Sequence, residues 1–408
     1  MPDQASIGPL DGIRVLDLTR VLAGPFATQT LADLGAEVIK VERPRVGDDT
    51  RSWGPPFLKD RHQRDTRDST YFLCCNRGKK SVTVDIARPE GQDLIRRLAR
   101  ACDVLCENYK VGDLARYGLD YASLRRLNPS LVYCSITGYG QTGPYARRPG
   151  YDPMAQALGG LMSVTGERHS PPQRVGVAVV DVLTATYAVI GILAALRHRD
   201  ATGEGQYLDI GLLDVQVASM INIAQAYLST GVVARRNGNE HPSVAPSQSF
   251  QCSDGMIMLA AANDAQFARL CDAVGLPDLA HEGLFASNEA RVLNRERLTQ
   301  LLQIALAPRT VAEWVERLSA AGVPCAPVND IDRVFDDPQV RSRGGRVTVD
   351  HAAAGPLDLV ANPLHLSETP VGYRLPPPLL GEHTDEVLGS LLGMGPEELA
   401  SLHAAGVL

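Results

Sequence analysis

The chain has 408 residues, of which 44% are hydrophobic and 21% are charged, as in ordinary globular proteins of two or three domains. Its formal net charge is -7 and it contains no long basic run, which argues against nucleic acid as a partner. The eight cysteines form neither a CxxC pair nor a zinc-ligand pattern. We therefore expect reduced, mostly buried thiols in a cytoplasmic protein without a metal.

Short apolar runs typical of strands alternate with segments of helical periodicity in the first half of the chain. Strands separated by helices predict parallel pairing through right-handed crossovers, which gives a Rossmann-like α/β sheet covered on both faces. The predicted strands are 12–19, 36–42, 80–86, 103–108 and 131–138, and the predicted helices are 25–35, 89–101 and a stretch around 112–127.

The second half is predicted to hold a smaller α+β domain inserted into the first. Residues 151–228 are predicted to be mainly helical around a strand at 206–213, and segment 234–248 has the Gly, Pro, Asn and Ser content of a loop or linker. The later predicted helices are 264–275, one near 287–307, 310–322 and 396–406. The predicted domains are a large one of residues 1–225 and 331–408 and a small one of residues 226–330.

One apolar segment, 175–196, is long enough to imitate a membrane span. It contains Asp181, Thr184 and Tyr187, and no comparable segment accompanies it. We therefore predict a buried helix that carries a functional acid, in a protein without a membrane partner. The opening sequence MPDQASIGPLDG is acidic and has no apolar core, so neither a signal peptide nor a transit peptide is expected.

Most motifs with a known catalytic mechanism are missing from the sequence. It contains no GxxxxGK[ST], GxSxG or HExxH, and no GxGxxG follows the first predicted strand, which disfavours a nicotinamide enzyme. The distinctive feature that remains is Asp181, at the start of an apolar helix. An aspartate there either caps free N–H groups or acts as a weakly solvated nucleophile, and the residues alone do not decide between these interpretations.

Several long motifs follow one another from about residue 8 to the C-terminus. They are GIRVLDLTRVLAGPFATQTLADLGAEVIKVERP (12–44), NRGKKSVTVDI (76–86), ENYKVGDLARYGL (107–119), SITGYGQTGP (135–144), YDPMAQALGGLMSVTG (151–166) and LLGEHTDEVL (379–388). In this order they resemble the class III coenzyme A (CoA) transferase family. The resemblance implies CoA as substrate and product, no metal and no nucleotide cofactor, and an interlocked homodimer of ring-like protomers.

By this resemblance Asp181 matches the catalytic aspartate of the family. The match implies that its carboxylate attacks a donor thioester, passes through a mixed anhydride to an aspartyl-CoA thioester, and then reacts with the acceptor acid by the reverse steps. Such a site must exclude water and offer backbone N–H groups to the oxyanion. Gly159 and Gly160 either allow close backbone approach there or serve only helix packing.

The resemblance also implies a set of CoA contacts. These are Arg43 and Arg116 for the phosphates, Asn108 and Tyr109 near the nucleotide, Val84 and Ile86 along the adenine, and Leu22 and Ala23 near the pantetheine, with Tyr151 and Asp152 completing the set. Leu22 departs from the formyl-CoA transferase pattern, which has glutamine there, so formate and oxalate are disfavoured as substrates.

Two alternatives to a transferase remain. The related α-methylacyl-CoA racemases have a His-Asp pair where this chain has Tyr151-Asp152. Tyrosine is a poor base at neutral pH because its unperturbed pKa is about 10, so racemisation or epimerisation is disfavoured. The second alternative is a catalytically silent CoA-binding protein, and the intact Asp181 argues against it.

Two further runs, DDTRSWGPPF (48–57) and HPSVAPSQSF (241–250), look most like the dicarboxylate branch typified by succinyl-CoA:glutarate CoA-transferase. A dicarboxylic acid needs a cation for its distal carboxylate, and the candidates are Arg51, Arg174 and His241, which the sequence does not rank. The predicted function is transfer of CoA from succinyl-CoA or another dicarboxylyl-CoA to a free carboxylic acid.

Overall fold

The computed structural model describes residues 8–408, which pack into two compact units. The first unit comprises the residues up to Gly160 together with Gly176–Ala224 and Gln339–Leu408, and the second comprises Leu161–Val175 and Gln225–Pro338. Segment Leu161–Val175, which the sequence assigned to the large domain, therefore packs with the second unit. The domain bounds proposed from the sequence, 1–225 with 331–408 and 226–330, stay a prediction.

Strands and helices alternate along much of the described chain. The strands are β1 Arg14–Asp17, β2 Glu37–Glu42, β3 Phe57–Lys59, β4 Asp65–Ser69, β5 Lys79–Thr83, β6 Val104–Glu107, β7 Val132–Thr137, β8 Tyr207–Gly211, β9 Ser247–Gln251, β10 Met256–Ala260, β11 Cys325–Pro327, β12 Arg346–His351 and β13 Gly355–Val360. The α-helices are α1 Ala23–Asp33, α2 Thr70–Leu73, α3 Pro89–Arg100, α4 Tyr121–Arg125, α5 Asp152–Leu158, α6 Leu161–Val164, α7 Val179–Thr202, α8 Leu212–Ser219, α9 Ile221–Thr230, α10 Asp264–Val274, α11 Asn288–Leu293, α12 Arg295–Leu306, α13 Val311–Ala320, α14 Ile331–Asp336, α15 Pro338–Ser342, α16 Thr384–Leu392 and α17 Pro396–Ala404. Short 3-10 helices lie at Asp49–Ser52, Leu114–Tyr117 and Pro277–Ala280.

A six-stranded parallel sheet forms the centre of the first unit, with strand order β5-β2-β1-β6-β7-β8. Taken in chain order within this sheet, the strands lie 3-2-1-4-5-6, the order of a doubly wound Rossmann fold. The predicted parallel sheet is therefore confirmed. The strand order reverses between β1 and β6, and ligands of such folds bind outside the carboxyl ends of the strands at that point.

Hydrophobic cores cover both faces of this sheet because successive strand side chains point to opposite sides. On one face Val15 and Val104 pack with Leu31 of α1 and Ile192 of α7. On the other face Leu16, Ile39 and Leu105 pack with side chains of α3, α16 and α17, including Ile95, Leu388 and Leu399. Burial on both faces explains the nearly continuous apolar runs of the strands in the sequence.

Helix α7, which spans 24 residues, is long and apolar enough to cross a membrane by length and composition. Its buried stripe includes Asp181, Ala188 and Ile192. The opposite stripe is apolar as well but exposed, with Val182, Tyr187, Ile190 and Leu193 as its large side chains. The helix predicted to be buried is thus buried along one face only, and Asp181 lies on that face.

The second unit is built on a three-stranded antiparallel sheet of order β11-β10-β9. Phe250 and Ile257 from this sheet pack with Phe267 of α10, Leu302 of α12 and Trp314 of α13. The single helix predicted near 287–307 is wrong in one respect, because the structure has two helices, α11 and α12, that meet at Asn294.

Two antiparallel hairpins also belong to the first unit. One pairs β3 with β4, and the other pairs β12 with β13. Leu58, Phe72, Val349 and Leu359 form a small core between them.

Lys40 and Lys79 are fully buried, and both hold the segment between β1 and α1. Lys79 Nζ donates to Asp17 Oδ2 at 3.0 Å, to the Pro25 carbonyl at 2.8 Å and to Asn76 Oδ1 at 2.9 Å. Although burial by itself raises the pKa of the Asp17 carboxyl, the nearby lysines and threonine hydroxyls lower that pKa to about 2. Asp17 and Lys79 therefore form a charged pair inside the protein.

Replacing Lys79 by Met should lower the free energy of unfolding by about 3–5 kcal/mol, because it leaves the Asp17 carboxylate buried without its cation. Denaturant unfolding measures this loss. The double variant Asp17→Asn/Lys79→Met, which buries no unpaired charge, should regain most of it. A single variant as stable as the wild type would contradict the pairing.

Candidate active site

Asp181 lies in the first turn of α7 and lines a cleft of about 200 Å³ at the switch point of the sheet. We call this cavity the Asp181 cleft. Its other walls include Arg20–Ala23 after β1, Asn108–Val111 after β6, and, at the end of β7 and in the loop that follows, Ile136–Gly138 with 146–151. Three strand ends therefore bring their following loops to one carboxylate, as expected at this edge of a doubly wound sheet.

The start of α7 is capped by Asp152 and not by Asp181. The N-cap residue of the helix makes no side-chain capping bond among the described residues, and the Val180 N–H donates instead to Asp152 Oδ1 at 2.8 Å. Gln156 Nε2 donates to the other oxygen of Asp152 at 2.7 Å. The capping role considered for Asp181 thus belongs to Asp152, and the Asp181 carboxylate is left to face the cleft.

Burial raises the pKa of Asp181 to about 7, and the like charge of Asp152 adds to this rise. Withdrawal from water disfavours the ionised form of a carboxyl group, so near neutral pH Asp181 is partly protonated and its charged form is weakly solvated. A weakly solvated carboxylate is a better nucleophile than one held by hydrogen bonds or by a cation. These are the properties of a carboxylate that reacts.

The segment that faces Asp181 from the end of β1 is held in a strained backbone conformation. Val21 has φ +75°, in a region that β-branched residues rarely adopt. The Asn108 side chain accepts a hydrogen bond from Arg20 N at 3.0 Å and donates to Arg20 O at 2.6 Å. Lys40 Nζ donates to the Thr19 carbonyl at 3.0 Å. These contacts keep the segment in place, so Asn108 acts on it as a backbone clamp.

Leu22 and Ala23 are the N-cap and first residue of α1 and line the Asp181 cleft. Helix α1 has no capping side chain among the described residues and no acid in its first turn. Its first N–H groups are therefore free of the usual side-chain acceptors, and the positive end of the helix dipole lies at the cleft.

A second, narrower cavity of about 20 Å³ adjoins the Asp181 cleft. Arg43, Val84 and Ile86 line it, and we call it the Arg43 cavity. Arg20 and Tyr109 line both cavities, with the Arg20 guanidinium 5.2 Å from the centre of the Tyr109 ring. The structure thus brings three predicted nucleotide contacts together and connects them to Asp181 through Tyr109.

The two arginines predicted to face the phosphates are placed differently. Arg43 pairs with Asp49 at 2.8 Å at the edge of the Arg43 cavity. Arg116 lies on the 3-10 helix Leu114–Tyr117, is 66% exposed and pairs with Asp113 at 2.8 Å. It lines neither cavity. The phosphate contacts of both residues stay predictions.

Arg51 is not a free cation for a substrate carboxylate. Its buried guanidinium donates to Glu42, to Asp68 and to the Pro378 carbonyl, and it stacks 3.7 Å from the centre of the Phe72 ring. These partners hold the guanidinium on all sides, so the candidacy of Arg51 was wrong. Arg174 and His241, the other candidates, belong to the second unit.

Tyr151 and the two glycines after α5 also have definite places. Tyr151 is the exposed N-cap residue of α5 and lines the Asp181 cleft. A Cβ on Gly159 would collide with the Gln216 side chain of α8, whereas Gly160 has φ +87°, which favours glycine. Close packing therefore explains Gly159, and the backbone conformation explains Gly160.

Glu107 is a buried acid that sequence reasoning did not single out. It accepts a hydrogen bond from Tyr109 N at 2.7 Å and contacts the Ser135 hydroxyl. Burial raises its pKa to about 7. Glu107 orients the start of the loop that carries Asn108 and Tyr109, and its place in ENYKVG, directly after a buried strand, was the signal available in the sequence.

No group of three or more His, Cys, Asp or Glu side chains in residues 8–408 is arranged to hold a metal ion. All eight cysteines are free thiols, and most of them are buried.

The comparisons with known proteins agree with this geometry. The model of CoA-transferase family III matches residues 10–384. The chain is 46% identical over 383 residues to the succinate–glutarate CoA-transferase of Agrobacterium fabrum, covering 94% of this chain and 96% of that protein. It is 43% identical over 406 residues to the succinyl-CoA:glutarate CoA-transferase of Homo sapiens, covering 100% of this chain and 91% of that protein.

A solved structure is similar as well. A CaiB/BaiF family protein from Brucella suis superposes with a TM-score of 0.85 at 44% identity, covering 94% of this chain and 100% of that chain. With the family model matched across nearly the whole length, the chain belongs to CoA-transferase family III and is an enzyme that transfers coenzyme A.

Proposed function

We propose that the enzyme moves CoA from succinyl-CoA, or another dicarboxylyl-CoA, to a free dicarboxylic acid such as glutarate, with Asp181 as the covalent nucleophile. The observation that carries this proposal is the buried carboxylate of Asp181, which does not cap the helix and lies in a cleft at the switch point of the sheet. The substrate class is supported by relatives of similar length named for succinyl-CoA and glutarate.

The proposed reaction begins when an Asp181 oxygen attacks the thioester carbonyl carbon of the donor. The carbon–sulfur bond breaks, CoA leaves as thiolate, and a mixed anhydride remains. The thiolate then attacks the Asp181 carbonyl carbon, the donor acid leaves as a carboxylate, and an aspartyl-CoA thioester is formed. An acceptor carboxylate reverses both steps, so the cycle needs no oxidant and no net proton.

The protein's part in this cycle is to desolvate the nucleophile and to stabilise negative charge on oxygen. The free N–H groups at the start of α1, around Leu22 and Ala23, are well placed to receive the oxyanion of each tetrahedral intermediate. Because Lys40, Lys79 and Asn108 fix that segment, its N–H groups need no reorganisation during the reaction.

CoA is proposed to enter along the Arg43 cavity. The half-buried Ile86 offers apolar surface for adenine beside the buried Val84, while Arg43 offers a cation for phosphate. Tyr109, shared by both cavities, would guide the pantetheine arm toward Asp181. Arg116 is proposed as an additional phosphate contact at the surface.

We further propose a homodimer, interlocked as the resemblance implies. The exposed apolar stripe of α7 supports association, because contiguous apolar surface of this kind is typical of protein interfaces. The cytoplasmic location stays a prediction.

Asp181→Asn should abolish CoA transfer, with a loss of about a thousandfold or more in kcat, because the amide cannot form the anhydride. Transfer from succinyl-CoA to glutarate, followed by mass spectrometry, measures the loss. Unaltered turnover would refute the nucleophile.

The same variant has a stability control. The pKa of Asp181 in the fold is about 7 against an ordinary value of 3.8, so ionising this buried acid destabilises the fold increasingly from pH 3.8 to about 7. Asp181→Asn should therefore melt at a higher temperature than the wild type at about pH 8 and nearly equally at about pH 4. A lower melting temperature at both pH values would show a folding defect.

The pH profile of kcat/KM should rise through about pH 7 as the Asp181 carboxylate forms. Asp152→Asn removes the like charge that raises this pKa, so the acidic limb should move to lower pH. Rates measured from about pH 5 to 9 give the midpoint. A midpoint that moved upward, or stayed fixed in a variant with intact folding, would contradict the coupling.

Light scattering after size exclusion should give the mass of two chains for the wild type. Ile190→Glu, in the exposed stripe of α7, should shift the population toward monomers because it buries a charge in the interface. Arg100→Glu, at an exposed position of α3 outside this stripe, is the control. A monomeric wild type would rule the proposed dimer out.

A further inference from the structure

The loop 138–150, between β7 and α5, is anchored at several points. Gly138 and Gly150 meet where a Cβ on Gly138 would lie 2.6 Å from Gly150 Cα. Gln141 N donates to both carboxylate oxygens of Asp209 at 3.1 and 3.0 Å. The loop therefore returns to its starting point and is tied to the neighbouring strand, β8.

This loop presents two adjacent arginines to the Asp181 cleft. Arg147 and Arg148 both line the cleft and are exposed within it. The Arg148 guanidinium stacks 3.9 Å from the centre of the Tyr145 ring, and Arg148 N donates to the Tyr145 carbonyl at 2.8 Å. The ring itself packs edge-on against Tyr139. Arg148 is thus oriented before any ligand arrives.

Neither arginine is paired with an acid in the part of the chain that the structure describes. By contrast, Arg20, which also lines the cleft, pairs with Asp49 at 3.0 Å. Lys110 is a further exposed cation of the cleft, but it also lines a separate cavity beyond the cleft. Two guanidinium groups at a reaction cleft without carboxylate partners can receive an anionic ligand in bidentate geometry.

The position of the pair indicates which anion this is. Arg147 and Arg148 line the Asp181 cleft but not the Arg43 cavity, where the nucleotide of CoA is proposed to bind. Arg147 and Arg148 lie on the loop after β7, whereas Asp181 lies in the first turn of α7, so the pair and the nucleophile line the cleft from different elements. Cations placed in this way suit the far end of an acyl group whose near end reacts with Asp181.

We propose that Arg148, assisted by Arg147, binds the distal carboxylate of the dicarboxylic acyl group and so selects dicarboxylic over monocarboxylic substrates. This inference rests on the proposed function. It gives Arg148 the role first considered for Arg51. Asp209 is the corresponding positioning residue, because it holds the loop through Gln141 N.

The test compares acceptors that differ only in the distal carboxylate. With succinyl-CoA as donor, kcat/KM is measured for glutarate and for butyrate in wild type, Arg148→Met and Arg147→Met/Arg148→Met. The double variant should lose about 10- to 100-fold with glutarate, the value of a charge-assisted hydrogen bond, mainly through a higher KM. Butyrate should change by less than about threefold.

Two further variants separate charge from fold. Arg148→Lys keeps the positive charge without the planar fork and should recover part of the glutarate activity. Arg45→Met, which removes an exposed arginine of the same unit that lines neither cavity, should leave both acids unaffected.

The KM for succinyl-CoA should also rise, because its acyl group carries a distal carboxylate. A rise in the KM for butyryl-CoA, a donor without that carboxylate, would overturn the proposal in favour of a CoA phosphate contact. Equal losses with both acceptors would overturn it in favour of a structural role. Thermal shift by glutarate gives a readout that needs no turnover: glutarate should stabilise the wild type more than butyrate does, and the double variant should lose that difference. A wild type that transfers CoA to no dicarboxylate but shows this shift would contradict the proposed function and not the binding site.

Discussion

The removal of one carboxylate from water, without an opposing cation, is the constraint on which the rest of the site depends. Asp181 lies on the buried stripe of α7, and both burial and Asp152 act against its ionised form. An aspartate in the first turn of a helix would ordinarily use its oxygens on backbone N–H groups. Here Asp152 takes that task through Val180, so the Asp181 oxygens stay available for bond formation.

The rest of the fold holds this carboxylate and the segments around it in place. The sheet order places the ends of β1 and β6 side by side, and buried charges then lock the segment that follows β1. The pairs Lys40–Asp48 and Lys79–Asp17 are costly to bury, and neutral side chains could fill the same volume. Their value lies in the carbonyls that the lysines also hold, at Thr19 and Pro25, because these fix a strained backbone beside the nucleophile.

Apolar periodicity was sufficient to predict the parallel sheet, the start of α7 and the apolar surroundings of Asp181. It could not predict Lys40 and Lys79 as buried, because a lysine in a strand is expected to reach solvent and its partners lie far away in sequence. The same limit applies to Arg51, which looked like a free cation until Asp68 and Glu42 were seen around it. Asp152 was singled out for its place beside Tyr151, whereas its capping of α7 depends on a contact across 28 residues.

The central claim is that Asp181 titrates near neutral pH because its carboxyl group is buried away from water and does not cap the helix. Infrared difference spectra between the wild type and Asp181→Asn, recorded as a function of pH, isolate the carbonyl band of this one protonated carboxyl group. The account predicts a band that disappears with a midpoint near pH 7. A midpoint near the ordinary value of 3.8 would show a solvated or paired carboxylate and would contradict the account.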